Sequence, residues 1–147
     1  MYWALFNLYL ICGMLIKYLL HYRFAIIWAL IVLGLCGMNG AYIPHFELSN
    51  LFRIDKLAHL FLFGFLSYLI AVASAKAFPH KSRFELIYPA FLTGTAYGIL
   101  IEVLQATVFP NRSFDYMDML ANTIGCALAW LVLNSYLKRK TKNAKAD

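Results

Sequence analysis

Side chains that could bind a ligand or move a proton are concentrated in two short strings of this sequence. One string is residues 55–59 (DKLAH), and the other is residues 102–122 (EVLQATVFPNRSFDYMDMLAN). Their carboxylate, imidazole, ammonium and guanidinium groups suit acid–base catalysis and the binding of charged ligands. A charge at the centre of a membrane-spanning helix costs about 2.5–3.5 kcal/mol on insertion scales, so several at one level indicate a site.

Asp55 and His59 are four residues apart, so they share one face of a helix. A carboxylate beside an imidazole can orient the ring, raise its basicity or form part of a metal site. The alternative is that Asp55 caps the helix and His59 is a hydrogen-bonded residue of the membrane interface.

A second face is formed by Gly94, Gly98 and Glu102 at four-residue spacing, with Gln105 on the next turn. Glycines at this spacing let a neighbouring helix approach closely in lipid, which would carry Glu102 into the interior of the bundle. A buried carboxylate there needs a cationic partner or must be protonated. The candidate partners are Lys56, His59 and Arg112.

A third polar face follows in the last apolar run, where Asp118, Asn122 and Gly125 are separated by four and three residues. Asp115 lies three residues before Asp118. The preceding residues 109–114 are typical of a tight turn, in which Arg112 could bind an anion through two hydrogen bonds or pair with one of these two aspartates.

The elements that would position these residues are membrane-spanning helices. Hydrophobic residues make up 63% of the chain, charged residues make up 14%, and the mean hydropathy is +0.67, which excludes a soluble globular domain. We predict an all-α bundle of four transmembrane helices, and 147 residues leave no room for a second, soluble domain. The four predicted spans are Phe24–Ile43, Leu57–Ala75, Leu86–Gln105 and Tyr116–Leu137.

Prolines mark the predicted boundaries. Pro44, Pro79 and Pro110 lie in the polar interruptions between the runs, and Pro89 is expected in the first turn of the third helix. The predicted domain division is residues 1–23, an apolar and basic N-terminal segment, residues 24–137, the four-helix domain, and residues 138–147, a basic tail. The N-terminal segment could be signal-like, interfacial, or translated sequence upstream of a start at Met14.

Positive charges predict the orientation of the bundle. Ten of the 13 lysines and arginines precede the first span, lie between the second and third, or follow the fourth. Short cytoplasmic loops retain such charges, so both termini are expected in the cytoplasm and both polar strings on the outer side. The basic tail is a topology anchor beside anionic lipid rather than a nucleic-acid site.

No cofactor signature is present. The chain has no phosphate-binding glycine loop, dinucleotide fingerprint or haem motif, and no Ser or Cys in a nucleophile elbow. Cys12, Cys36 and Cys126 lack the spacing of metal or disulfide sites and are interpreted as small packing residues. We predict neither a cofactor nor a bound metal.

These polar positions resemble the VanZ-like family of small bacterial membrane proteins over residues 53–133, with the N-terminal stretch outside the resemblance. The shared pattern is Asp-Lys-x-x-His, then Glu-x-x-Gln, then Pro-x-Arg, then Asp-x-x-x-Asn with a glycine three residues later. It corresponds to Asp55, Lys56 and His59; Glu102 and Gln105; Pro110 and Arg112; and Asp118, Asn122 and Gly125. Asn111 stands where the family commonly has glycine, and asparagine also tolerates the left-handed backbone.

The resemblance implies a multi-pass protein of the bacterial cytoplasmic membrane. The family is named for a protein associated with resistance to the glycopeptide teicoplanin, so a role in resistance or in envelope maintenance is an association that the resemblance carries. It implies no defined reaction.

Three functions stay open at this point. The first is an outward pocket that binds the headgroup of a membrane lipid or lipid-linked envelope precursor. Its predicted ligand-binding residues are Asp55, Lys56, His59, Glu102, Gln105, Arg112, Asp118 and Asn122.

The second is an envelope enzyme with His59 or Glu102 as general acid or base. A variant of it places a divalent metal on Asp55, His59, Glu102 and Asp118. The third is a structural polar network that fixes how the spans associate, with a homodimer among the candidate partners.

Overall fold

The computed structural model describes residues 2–39 and 48–143. In these ranges the chain forms four helices, α1 (Tyr2–Cys36), α2 (Leu48–Ala77), α3 (Arg83–Thr107) and α4 (Tyr116–Asn143), and contains no strand. Each helix includes a stretch long and apolar enough to cross a membrane: Cys12–Cys36, Ile54–Ala77, Arg83–Thr107 and Tyr116–Lys138. The predicted all-α membrane bundle is confirmed.

The first span differs from its prediction. α1 runs unbroken across residue 23 and ends at Cys36, whereas the apolar run predicted a span over residues 24–43. Gly37 follows the last helical residue, and its N–H closes the helix on Leu33 O at 2.8 Å. The ring of Phe109 lies 3.0 Å from where a Cβ on Gly37 would stand, so the α3–α4 connection packs against the end of α1. Residues 40–43 lie outside the described ranges, and the division at residue 23 stays a prediction.

Helices that follow one another in the chain alternate in direction. Lys56 of α2 pairs with Asp118 of α4, and Gly64 contacts Gly125 about two turns further along both helices, so α2 and α4 are parallel. α1 runs the opposite way, because Tyr22 of α1 meets Ser74 near the end of α2. α3 does so too, because Gly94 lies beside Cys126 of α4, whereas Gly98, further along α3, lies beside the earlier Asn122. The starts of α2 and α4 and the ends of α1 and α3 therefore meet at one end, which we call the cluster end.

Glycines bring α3 and α4 into close contact. A Cβ on Gly94 would lie 2.8 Å from Cys126 Sγ, and one on Gly98 would lie 2.9 Å from the Cβ of Asn122. Both glycines and Glu102 are buried, so the small face predicted on this helix does carry the carboxylate into the bundle.

α3 begins earlier than its apolar run predicts. Ser82 and Glu85 form a capping box, in which each side chain accepts a hydrogen bond from the other's backbone N–H. Since the helix starts at Arg83, Pro89 lies in its second turn rather than in the first turn as predicted.

The interior is small and the lipid-facing surface is large. A core of buried residues links all four helices, with Val32, Phe63, Ile101 and Cys126 fully shielded. Cys36 is buried as well, so two of the three cysteines pack as predicted, whereas Cys12 is exposed. Large apolar side chains such as Leu30, Phe61 and Val132 point outward, as expected where acyl chains surround the protein.

Candidate functional site

The site lies at the cluster end and consists of the residues that we call the polar cluster: Asp55, Lys56, His59, Glu102, Asp115, Asp118 and Asn122. The first three lie near the start of the α2 span, Glu102 lies near the end of α3, and the others belong to the start of α4 and the turn before it. Three separate polar stripes of the sequence thus converge.

Lys56 holds α2 against the start of α4. Its ammonium donates hydrogen bonds to Asp115 Oδ2 and Asp118 Oδ1, and the lysine side chain is only 17% exposed. Burial raises the pKa of Asp115, but the bonds from Lys56 and from the Met117 N–H outweigh it, so the pKa of this carboxyl lies below its ordinary value.

His59 is buried and touches a polar group on each side of its ring. Its Nδ1–H donates to Asn122 Oδ1 at 2.9 Å, because an amide oxygen can only accept. Its Nε2 lies 3.9 Å from Asp118 Oδ2 and 4.0 Å from Asp55 Oδ1. Asp55 thus lies beside the imidazole as the four-residue spacing predicted.

Glu102 has no exposed surface and only one hydrogen bond among the described residues. Its Oε2 accepts from the Asp115 N–H at 3.3 Å, and its Oε1 lies 3.8 Å from His59 Nδ1 without a hydrogen-bond partner. Of the three cationic partners predicted for it, His59 is the one that the described ion contacts place within 4.0 Å.

Two predicted ligand-binding residues bind the end of α1 instead of the cluster. The Gln105 side chain donates to Cys36 O at 2.9 Å, and Arg112 Nε donates to Met38 O at 3.3 Å. Both partners are backbone carbonyls at the end of α1 or just after it, where no later helical N–H is available to bond them. In the described contacts Arg112 pairs with neither Asp115 nor Asp118, the two partners considered for it.

The turn before α4 has the backbone that the sequence indicated. Asn111 adopts φ 55°, the left-handed conformation that asparagine was expected to tolerate in this turn. Its side chain donates to Asn39 Oδ1 at 2.9 Å, which ties the turn to the segment after α1.

An apolar groove adjoins the polar cluster on the lipid-facing side. This α2/α4 groove has a volume of about 500 Å³ and is lined by Lys56, Leu57, Leu60, Met117, Leu120, Ala121 and Ile124. Lys56 and Met117 lie at the cluster end of their helices, and the other lining residues extend toward the membrane centre.

The sequence did not predict the groove. It also did not predict that Asp115 would accept a hydrogen bond from Lys56 and donate its own N–H to Glu102. The spacing of Asp115 and Asp118 marks them as neighbours, but the choice of Lys56 as their common partner depends on how α2 packs on α4. No periodic signal marks the groove, because its apolar residues look like any lipid-facing surface.

The cluster offers two kinds of chemistry. The carboxyl of Glu102 lies 3.8 Å from Nδ1 of His59, so these two groups can exchange a proton once they approach to hydrogen-bond distance. In addition, Asp55, His59 and Asp118 present one ligand atom each within 4.8 Å of one another, which is a donor set that a divalent cation could use.

Comparison with known proteins gives one match. A family model described as VanZ/LLP1 covers residues 6–137 of the chain, which confirms the resemblance predicted from the polar motif. The match extends beyond residues 53–133, over which the polar motif carries the resemblance, and it includes most of the N-terminal stretch that was expected to lie outside it. No curated protein and no solved structure matches the chain.

Proposed function

Because this chain belongs to the VanZ/LLP1 family of membrane proteins, we propose that it binds a cell-envelope lipid or lipid-linked precursor. The headgroup contacts the polar cluster, and an acyl or prenyl chain occupies the α2/α4 groove. The supporting observation is the continuity of the two: Lys56 belongs to the cluster and also lines the groove. An amphiphile needs such a junction of polar and apolar surface.

The proposed location is the bacterial cytoplasmic membrane, with the cluster end outward. Lys76, Lys81 and Lys138 belong to the end opposite the cluster, and such charges favour the cytoplasmic side. A link to teicoplanin resistance stays a prediction from the family resemblance.

Arg112 is the residue to which we assign anion recognition. Lys56 is engaged by two carboxylates, whereas the described contacts of Arg112 use its Nε alone, on a backbone carbonyl. Its terminal nitrogens are then the donors available for a headgroup phosphate.

The first test blocks the α2/α4 groove with a larger side chain. We expect wild-type protein purified in mild detergent to carry a defined envelope lipid, identified by native mass spectrometry and lipidomics. Ile124→Trp places a large ring in the groove and should reduce that lipid at least fivefold. Leu131→Trp is the matched control, since Leu131 is on the same helix and exposed but outside the groove.

The second test addresses the headgroup. Arg112→Glu should also deplete the lipid, whereas Lys81→Glu, the same charge reversal at the opposite end of the bundle, should leave it bound. A lipid content that is the same in wild type and in both Ile124→Trp and Arg112→Glu would contradict the proposal and favour a purely structural polar network.

A second candidate function is catalysis, and the buried Glu102 beside His59 is the observation that favours it. A desolvated carboxylate next to an imidazole can act as general acid or base. The same lipid analysis distinguishes it: a lipid recovered with a cleaved or altered headgroup from wild type, but intact from Glu102→Gln, would identify turnover.

A further inference from the structure

Three acceptor atoms of the polar cluster face one another without a donor between them. They are His59 Nε2, Asp118 Oδ2 and Asp55 Oδ1, with the imidazole nitrogen 3.9 Å and 4.0 Å from the two oxygens. Within the described part of the chain none of these three atoms takes part in a hydrogen bond, and the Lys56 ammonium binds the other oxygen of Asp118.

While the imidazole is neutral, its orientation makes this arrangement unfavourable without a cation. Since Nδ1–H of His59 donates to Asn122 Oδ1, Nε2 of the neutral ring carries a lone pair. This nitrogen lies 3.9 Å from an Asp118 oxygen and 4.0 Å from an Asp55 oxygen. The side chains of His59 and Asp118 are only 5% and 7% exposed, so water screens the repulsion between these two poorly.

The net charge of the surrounding side chains also favours a bound cation. Four carboxylates (Asp55, Glu102, Asp115 and Asp118) meet one ammonium, Lys56, in the described contacts. Glu102 Oε1 is fully buried and unpartnered on the opposite side of the same imidazole. A cluster at the end of membrane spans with such an excess of negative charge is costly unless further positive charge enters it.

We propose that Asp55, His59 and Asp118 bind a divalent transition-metal cation of the manganese or zinc class. One imidazole nitrogen with two carboxylate oxygens is a donor set suited to these ions. Around a tetrahedral ion with metal–ligand distances of about 2.0–2.2 Å, the ligand atoms lie about 3.4 Å from one another, so the imidazole nitrogen and the two carboxylate oxygens, at 3.9 Å and 4.0 Å, must close by about half an ångström to bind it. Asp55, with its side chain 44% exposed, has room to rotate toward the ion.

Asn122 and Glu102 then act on the metal through His59. A ligand histidine usually gives its other N–H to an amide, carbonyl or carboxylate, which holds the ring in the tautomer that ligates. Asn122 makes this hydrogen bond, and Glu102 lies 3.8 Å from the same nitrogen.

The cation would also supply the positive charge that an anionic headgroup requires at a carboxylate-rich surface. This extension rests on the proposed lipid-binding function, whereas metal binding itself does not.

The test is a titration of chelator-stripped protein with Mn²⁺ in detergent without added lipid, with free Mn²⁺ quantified by electron paramagnetic resonance. We expect one saturable site per chain and displacement by Zn²⁺. Asp55→Asn removes a proposed ligand from a partly exposed position and should weaken binding at least tenfold, because loss of an outer-shell partner alone costs 10–100-fold.

Asp115→Asn is the control, since it removes the same charge from the same cluster but no proposed ligand. It should change the affinity less than threefold. The proposal is overturned if wild type shows no saturable Mn²⁺ or Zn²⁺ binding, or if Asp115→Asn weakens binding as much as Asp55→Asn. Because the titration contains no added lipid, its failure would leave the lipid analysis untouched.

Discussion

Asp115 and Asp118 make most of the side-chain contacts between α4, or the turn before it, and the other helices at the cluster end. Asp118 gives one oxygen to Lys56 and turns the other toward His59. Asp115 gives one oxygen to Lys56 and the other to the Met117 N–H, while its own N–H donates to Glu102. One short segment therefore links α2, α3 and the first turn of α4, so these two carboxylates hold the three helices together at the cluster end.

The lowered pKa of Asp115 predicts a pH-dependent contribution to stability. A carboxyl whose pKa is lower in the folded than in the unfolded state stabilises the fold fully above its ordinary value of 3.8, and this stabilisation is lost as pH falls through the folded pKa. Asp115→Asn should lower the melting temperature near pH 7 by at most about 4 °C, because the side chain is 38% exposed and its ion pair is screened by water.

The measurement is thermal unfolding in detergent from pH 7 down to pH 3. The difference between wild type and Asp115→Asn should shrink below pH 3.8, whereas Ser113→Ala, an exposed change in the same turn, should show no pH-dependent difference. An Asp115→Asn offset that stays constant to pH 3 would contradict the assignment.

At the scale of helices, close glycine contacts decide which polar residues meet. The crossing of α2 and α4 depends on Gly64 and Gly125, whose backbones touch. The crossing of α3 and α4 depends on Gly94 and Gly98 in the same way. Small residues of this kind let helices pack closely in lipid, where no hydrophobic effect drives them together.

Gly125→Ala should therefore be strongly destabilising. Its Cβ would lie 2.1 Å from the backbone oxygen of Leu60, and a backbone atom cannot move aside without separating the helices. We expect the free energy of unfolding to fall by about 1–3 kcal/mol, measured by denaturation in mixed micelles.

Gly34→Ala is the matched control, because nothing lies within 4 Å of its Cβ and alanine favours the helix. Its free energy of unfolding should equal that of the wild type or exceed it. Equal stabilities of the two variants would show that the α2–α4 crossing is looser than the structure indicates.

At the scale of the whole molecule, the two ends of the bundle differ in chemistry. The cluster end carries four interacting carboxylates, and the opposite end of the described chain carries Lys76, Lys81, Arg83 and Lys138. This asymmetry suits a protein inserted in one orientation, with its polar cluster accessible from one side only.

The proposed orientation predicts the labelling of single cysteines in intact cells. Ser113→Cys at the cluster end should react with a membrane-impermeant thiol reagent, whereas His80→Cys between α2 and α3 should react only after lysis. Both positions are exposed. A Cys12→Ala background suffices, since Cys36 and Cys126 are buried. The reverse labelling pattern would place the cluster in the cytoplasm.

Local sequence patterns determined the class, the helices and the candidate residues. Hydropathy and helical period predict the existence of four spans, the pairing of Asp55 with His59, the small face ending at Glu102 and the left-handed turn at Asn111. These features depend on neighbours within one or two turns of the same helix, which is the range that residue spacing reports.

Only the tertiary structure decided how the polar residues are partnered. Whether Lys56 pairs with Asp115 and Asp118, or with Glu102, depends on distances between helices that the contacts of Gly64, Gly98 and Gly125 determine. Gln105 and Arg112 bind the carbonyls of Cys36 and Met38 because α1 ends where it does. Such partners belong to other helices and to the backbone, so the periodicity of a single helix contains no information about them.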